Sequence, residues 1–143
     1  LGALRAVEFG AHGLQGIGII HDWYQRGVTI RDDEVVVAMD PETFAARGQP
    51  LVNLRYACLH ARRCGVIDEA VAGVLLDRYA AIPFAERHYS HLFRLVRSDD
   101  GVDPGVLDRF EAYIAARGET LDLKRRDALA LVDRIADAFH IVP

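Results

Sequence analysis

Apolar residues recur at helical spacing along most of the chain, and residues that begin or end helices separate one stripe from the next. Asp68, Asp103-Pro104 and Asp122 stand at N-cap positions, whereas Gly65 and Gly118 follow the last apolar residue of a stripe. The pattern predicts a mainly α-helical fold, a compact array of six or seven helices with short connections. The last predicted helix has a stripe that we expect to be buried: Leu129, Val132, Ile135, Ala136 and Phe139.

The other helices follow from the same signals. One is predicted from Leu1, and another over the segment from Ile17 to Tyr24, where Gly27 ends it. Pro50 and Pro83 each suit a first helical turn and predict two more helix starts.

One stretch of the sequence could form a β-strand. Val35-Val36-Val37 follows three acidic residues and precedes the turn signal Asp40-Pro41, so it forms either a short strand or the wall of a buried turn. The fold is therefore expected to contain at most one short strand or hairpin. The chain has 143 residues, the length of one domain, and residues 1–143 are predicted to form a single domain.

Composition excludes several classes of protein. A net charge of −4 argues against nucleic-acid binding, which needs a clustered basic surface. No apolar run approaches the ~20 residues of a membrane span. Cys58 and Cys64 are too few for a disulfide scaffold and suit a reducing cytosol, with Cys58 expected in the core. We expect a cytoplasmic protein without membrane or nucleic-acid partners.

Three segments carry a resemblance to a known family. The first, LGALRAVE at residues 1–8, is similar to a Ser-Met-Gly-Ala-Leu-Arg-Ala-Ala-Glu segment. The second, residues 16–35, has a glycine-rich turn, the aromatic pair Trp23-Tyr24 and the acidic run Asp32-Asp33-Glu34. The third, LVNLR at residues 51–55, is similar to a Val-Asn-Ile-Arg segment. In this order and spacing the segments resemble the TfuA-like family.

The resemblance is strongest over residues 1–67. A fourth, weaker match covers residues 122–128, and the helical region 68–143 otherwise resembles the family loosely. Family members carry an α/β segment before the Gly-Ala-Leu-Arg stretch, and a serine just before the position of Leu1. We therefore expect this chain to be the C-terminal part of a larger α/β protein, or a natural short form, with the nucleophilic serine outside it.

The resemblance implies a function. TfuA-like proteins accompany YcaO enzymes, which replace a peptide amide oxygen with sulfur. The implied role is hydrolytic release of sulfide from a thiocarboxylated ubiquitin-like carrier such as ThiS, by a Ser-Lys pair and without a cofactor. The alternative is a non-catalytic helical adaptor that binds a YcaO-type partner. The resemblance therefore leaves open whether the protein is an enzyme.

Lys124, Arg5 and Glu8 are the candidate catalytic residues. Lys124 is the only lysine, and a buried amine with a lowered pKa can accept the proton of a serine. The alternative is an exposed lysine beside Arg125 and Arg126. Arg5 could hold a carboxylate in a bidentate fork, or pair with Glu8 three residues on.

The candidate binding residues are polar or aromatic positions within the resembling segments. The acidic run could bind a basic partner surface or a cation, or it could be a solvated loop. Arg55 is expected to pair with the acidic run, and Asn53 to satisfy buried backbone, rather than to act in catalysis. The complete set is Trp23, Tyr24, Asp32, Asp33, Glu34, Asn53 and Arg55.

The sequence also contains candidates for two other kinds of site. His60 with Cys64, and His88 with His91, lie at helical spacing and could supply zinc ligands, but they lack a Cys-x-x-Cys pair, and no metal is expected. Ser90, like the only other serine, Ser98, lies outside a Gly-x-Ser-x-Gly elbow, which argues against a self-contained serine hydrolase. An uncovered apolar patch on the first helix would favour homo-oligomers.

Overall fold

A computed structural model describes residues 2–98 and 101–139. The described part is mainly helical, as the sequence predicts, and its strand content is limited to an isolated antiparallel bridge between Met39 and Ala46. Leu1 of the first predicted helix lies outside the described residues. The helices are α1 (Gly2–Glu8), α2 (Ile19–Gln25), α3 (Leu51–Arg63), α4 (Glu69–Ala81), α5 (Tyr89–Arg97), α6 (Pro104–Arg117) and α7 (Leu123–Phe139), with short 3-10 turns at Gly10–His12, Asp32–Glu34 and Phe84–Glu86.

The chain divides into two compact units. The terminal unit comprises the described residues of 1–32 and 122–143, and the central unit those of 33–121. The sequence prediction of a single domain stays a prediction.

In the terminal unit, α1 and α7 pack against α2. Only a few of the described residues reach its interior, so this unit buries little apolar surface for its length. Its buried apolar residues are Ala6, Ile20, Tyr24 and Leu123.

In the central unit, α3 packs against α4 and α6, and α5 also packs against α4 and α6. Leu54, Leu75 and Leu92 are fully buried among these helices. The rings of Phe93 and Phe110 meet edge to face with centroids 6.1 Å apart, which joins α5 to α6. This unit therefore holds the main hydrophobic core.

The predicted N-caps of three helices are confirmed. Carboxylate oxygens accept backbone N–H bonds at 2.8 Å for Asp68, 2.6 Å for Asp103 and 3.0 Å for Asp122. Each bond satisfies one of the donors that a helix start leaves unpaired. Gly27 and Gly65 have φ values of 68° and 69°, the left-handed conformation expected just after a helix end.

The helix predicted from Pro83 begins later than expected. Pro83 opens the 3-10 turn Phe84–Glu86, and α5 starts only at Tyr89. The delay has a tertiary cause, because the buried side chain of Arg87 holds the intervening backbone. The possible strand at Val35 to Val37 is likewise absent: Val35 lies buried in a turn, and Val36 and Val37 lie in irregular backbone and are partly exposed.

The prediction that the α7 stripe is buried is wrong. Leu129, Val132, Ile135 and Phe139 are 45–73% exposed, and Ala136 is half-buried. Leu123 is the buried residue of this helix. The predicted spacing of the apolar residues is helical, as expected. The stripe, however, lies on the side of α7 that does not contact the rest of the terminal unit.

The two cysteines differ in environment. Cys58 is buried in α3, as predicted, and burial raises the pKa of its thiol to about 12. Cys64 is exposed, with its Sγ atom 3.6 Å from the hydroxyl of Tyr113.

The thiols of Cys58 and Cys64 are expected to be alkylated at different rates. Iodoacetamide at pH 8 should modify Cys64 readily, and Cys58 at least about a hundredfold more slowly, because Cys58 must be exposed by unfolding before it can ionise. Peptide mass spectrometry over a time course measures both rates. Cys64→Ser is the matched control and should abolish the fast phase, whereas equal rates for the two thiols would contradict the buried position of Cys58.

Within residues 2–98 and 101–139, no helix combines the length and apolar character needed to cross a membrane.

Candidate functional site

Part of the acidic run is a structural element of the central unit. Glu34 is 5% exposed, and its carboxylate pairs with the Arg55 guanidinium on α3 at 2.7 Å. The expectation that Arg55 pairs with the acidic run is thus confirmed. Asn53, on the same helix, is buried as well, whereas Asp32 is exposed.

Arg87 is the most unusual buried residue of the unit. Its side chain is 1% exposed and forms an ion pair with the Asp33 carboxylate at 2.7 Å. The guanidinium also donates to the backbone carbonyls of Asp33, Ile82 and Ala80, the last two at 2.9 and 3.3 Å. A buried guanidinium is stable only when paired and hydrogen-bonded, and here both conditions hold.

A second set of contacts fixes the backbone at Arg87. The N–H of Gln49 donates to the Arg87 carbonyl at 3.0 Å, and the Tyr79 hydroxyl donates to the Gln49 carbonyl at 2.9 Å. Gly48 lies so close to the Arg87 carbonyl that a Cβ atom there would overlap it. Burial raises the pKa of Tyr79, so this hydroxyl stays a donor across the physiological range. These contacts position the segment that leads into α5.

That segment forms one side of a cleft of about 400 Å³. His91 and Arg94 lie three residues apart on one face of α5, and His88 is the residue that precedes the helix. The polar side chains of the cleft make no hydrogen bond or ion pair with another described residue, so their donors are available to a ligand. The lining residues are Ala85, Glu86, His88, Ser90, His91 and Arg94.

The cleft can bind an anion and move a proton. Arg94 supplies a permanent positive charge and a fork of donors that fits a carboxylate-like group. His88 and His91 supply imidazole nitrogens, which can take a proton from a substrate and return it. The sequence interpretation considered the two histidines only as zinc ligands, and it missed Glu86 and Arg94. The three-residue spacing of His88, His91 and Arg94 is the sequence signal from which Arg94 could have been predicted.

The predicted catalytic pair in the terminal unit lies on the surface. Arg5 and Glu8 form an ion pair on α1, and their side chains are 55% and 40% exposed. Pairing at three-residue spacing is as expected, but an exposed pair of this kind contributes little to stability. The expected role of Arg5 in holding a carboxylate stays a prediction.

Lys124 lies in the first turn of α7. The residue is exposed, yet neighbouring atoms partly desolvate its amine and lower its pKa, an effect that the nearby Asp122 carboxylate opposes. A lowered pKa is the direction that a catalytic base requires. This is the direction that the sequence interpretation gives for Lys124.

The glycine-rich turn has a structural explanation. Gly18 has a φ of 96°, and a Cβ atom there would overlap the Asp127 carboxylate from α7. That carboxylate accepts the N–H of Ile20 at 2.7 Å and so caps the start of α2. A Cβ at Gly16 would likewise overlap the buried ring of His21. Asp127 was missed as a key residue, although it lies in the weak fourth segment.

The two aromatic residues Trp23 and Tyr24 differ in how far they are buried. Tyr24 is buried, and its hydroxyl donates to the Arg31 carbonyl at 3.3 Å. Trp23 is partly exposed. Of this pair, Trp23 is thus the residue accessible to a partner.

Among the described residues, no three His, Cys, Asp or Glu side chains are grouped so that they could hold a metal ion.

Comparison with known proteins gives one family. The model described as "TfuA-like protein" matches residues 1–88, which is more than half of the chain. The match contains the acidic run, the Arg55 and Arg87 ion pairs and one wall of the cleft, and it extends beyond residue 67, where the sequence resemblance is strongest. No curated protein gives a significant match.

Proposed function

The chain belongs to the TfuA-like family, and on this premise we propose that it assists a YcaO enzyme in peptide thioamidation by promoting sulfide release from a thiocarboxylated ubiquitin-like carrier. The observation that carries the proposal is the family match over residues 1–88. The proposed site of sulfide release is the cleft at the start of α5.

The chemistry of the cleft supports this role. A thiocarboxylate is an anion at the end of a flexible tail, and the guanidinium of Arg94 suits it in charge and shape. An imidazole of His88 or His91 would take a proton from the attacking water. The water oxygen bonds to the carbonyl carbon and the C–S bond breaks. The products are a carboxylate, hydrosulfide and one proton.

Lys124 offers a different base. A lysine with a lowered pKa gains its neutral, proton-accepting form at a lower pH than an ordinary lysine. If Lys124 is the base, activity rises with pH through that lowered pKa, and Lys124→Met removes the rise. The pH profile therefore distinguishes Lys124 from the imidazoles of the cleft.

Sulfide release by the purified chain from thiocarboxylated ThiS is the test. Arg94→Met should lower kcat/KM about 10- to 100-fold, the effect of removing a hydrogen bond to a charged group. Arg97→Met is the matched control, because Arg97 lies on the same helix but pairs on the surface with Asp108 and Glu111. Equal activity of the two variants would contradict a catalytic role for the cleft, and loss in Lys124→Met alone would place the chemistry on α7.

A non-catalytic adaptor is the second candidate. The specific observation in its favour is Phe44, which is 72% exposed within the matched region, in a turn where its φ is 56°. An exposed aromatic residue is a common anchor for a partner protein. Binding of YcaO that is lost in Phe44→Ser, without sulfide release by the wild type, would favour the adaptor over the enzyme.

A further inference from the structure

The two histidines of the cleft differ in how they are placed. His88 precedes α5 in extended backbone, with a φ of −127° and a ψ of 140°, and its carbonyl accepts the N–H groups of His91 and Leu92 at 3.0 and 3.1 Å. Its side chain is exposed, whereas His91 lies half-buried in the first turn of the helix. The ring of His88 is therefore the more accessible of the two, and its position depends on the segment that leads into α5.

That segment is anchored twice at Arg87. The buried guanidinium pairs with the Asp33 carboxylate at 2.7 Å, and the Arg87 carbonyl accepts the N–H of Gln49 at 3.0 Å. The Arg87 carbonyl and the His88 nitrogen belong to the same planar peptide unit, so an anchor on the carbonyl also fixes the backbone at His88.

Gly48 brings a second piece of backbone against the His88 ring. A Cβ atom on Gly48 would overlap the Arg87 carbonyl oxygen and would lie 3.8 Å from Cε1 of His88. The φ of Gly48 is not in the left-handed region, so a glycine is needed here for close approach and not for its backbone angles. The imidazole of His88 thus lies beside a residue that has no side chain.

We infer, on the basis of the proposed function, that His88 and not His91 accepts the proton of the attacking water, and that Gly48 and Asp33 are positioning residues for its imidazole. The water proton moves to a ring nitrogen, and the water oxygen bonds to the thiocarboxylate carbon. The C–S bond breaks, its electron pair leaves with hydrosulfide, and the imidazolium returns the proton to solvent. A base must lie within hydrogen-bond reach of the proton that it takes, so an accessible ring placed in advance suits this step.

Chemical rescue distinguishes the two histidines in sulfide release from thiocarboxylated ThiS. His88→Ala should lower kcat about 100-fold, the contribution of a general base, with a smaller change in KM. Free imidazole can replace a missing base but cannot replace a structural contact. It should therefore raise the rate of His88→Ala at least about tenfold and that of His91→Ala not at all. Rescue of His91→Ala, of both variants or of neither would overturn the assignment to His88.

Gly48→Ala and Asp33→Asn test the positioning residues. Both should lower kcat about tenfold with a smaller change in KM, and imidazole should rescue neither, because the ring is still present but misplaced. Gly73→Ala is the matched control for Gly48→Ala, since a Cβ atom at Gly73, in the same unit, has no neighbour within 4 Å. A kcat of the wild-type value in both Gly48→Ala and Asp33→Asn would overturn the positioning role.

Nuclear magnetic resonance of the histidine rings tests the placement of His88 without any activity. Gly48→Ala and Asp33→Asn should shift the ring resonances of His88 more than those of His91, and Gly73→Ala should shift neither. Equal shifts of the two rings, or none, would overturn the positioning role. A wild type that releases no sulfide would overturn the proposed function and with it the role of His88 as the base, whereas the ring resonances would still decide how His88 is held.

Discussion

Replacement of Arg87 by methionine is expected to lower the free energy of unfolding of the central unit by about 1.5–3 kcal/mol, because it removes a buried charged donor whose partner carboxylate, on Asp33, is 27% exposed. Methionine fills much of the same volume but cannot donate. The Asp33 carboxylate and the carbonyls of Ile82 and Ala80 then lose the donor that they share in the wild type. Urea denaturation followed by hydrogen exchange at buried amides of α3 and α5 measures the change.

Arg97→Met is the control for this prediction. Arg97 has two carboxylate partners, at 2.7 and 2.6 Å, but they lie on the surface, where water replaces them readily. The unfolding midpoint of Arg97→Met should stay close to that of the wild type. The double variant Asp33→Asn with Arg87→Met should recover part of the loss, because it also removes the carboxylate charge that the Arg87 guanidinium balances in the wild type. A midpoint for Arg87→Met equal to that of Arg97→Met would show that the buried network does not stabilise the unit.

The helix starts could be predicted because capping is local. Asp68, Asp103 and Asp122 each bind an N–H two or three residues away, so the sequence contains both partners of the bond. The start of α5 could not be predicted this way. It depends on Arg87, whose acidic partner lies 54 positions earlier in the chain.

The α7 stripe shows a different limit. Helical spacing identifies which residues share a face, but it does not say what covers that face. Val132 and Phe139 match a core pattern as well as any residue of α3, yet they are exposed. A stripe facing a second protein and a stripe facing the protein's own core have the same period.

The candidate site was predicted in part. Pairing of Arg55 with the acidic run follows from two charged segments of a family motif. The cleft could not be predicted in this way. In the sequence, His88, His91 and Arg94 resemble the solvated face of an ordinary helix, and only the structure shows that Arg87 fixes the backbone before them. Sixteen of the seventeen basic residues are arginine, so nothing in composition distinguishes the buried Arg87 from the surface ones.

Gly18→Ala should destabilise the terminal unit by about 3 kcal/mol. Gly18 has φ 96° and ψ 172°, a conformation essentially restricted to glycine that costs an alanine about 1–3 kcal/mol, and forcing a methyl group into a packed site costs about 1–3 kcal/mol. The added Cβ overlaps the Asp127 carboxylate, which cannot move away without losing the Ile20 N–H that it caps. Trp23 is the only tryptophan and lies in α2, so its fluorescence during urea denaturation reports on this unit.

Asp127→Ala separates the two causes. In its background, Gly18→Ala should cost less than in the wild type, because the overlapping carboxylate is gone and only the backbone part remains. Gly13→Ala is the comparison for a positive φ without an overlap: Gly13 has φ 89° and ψ 4°, the left-handed helical region, and a Cβ atom there would have no neighbour within 4 Å. It should therefore lose about 1 kcal/mol. An equal loss for Gly18→Ala in the wild type and in the Asp127→Ala background would mean that the contact between the turn and Asp127 contributes nothing, and that the glycine is required only for its backbone.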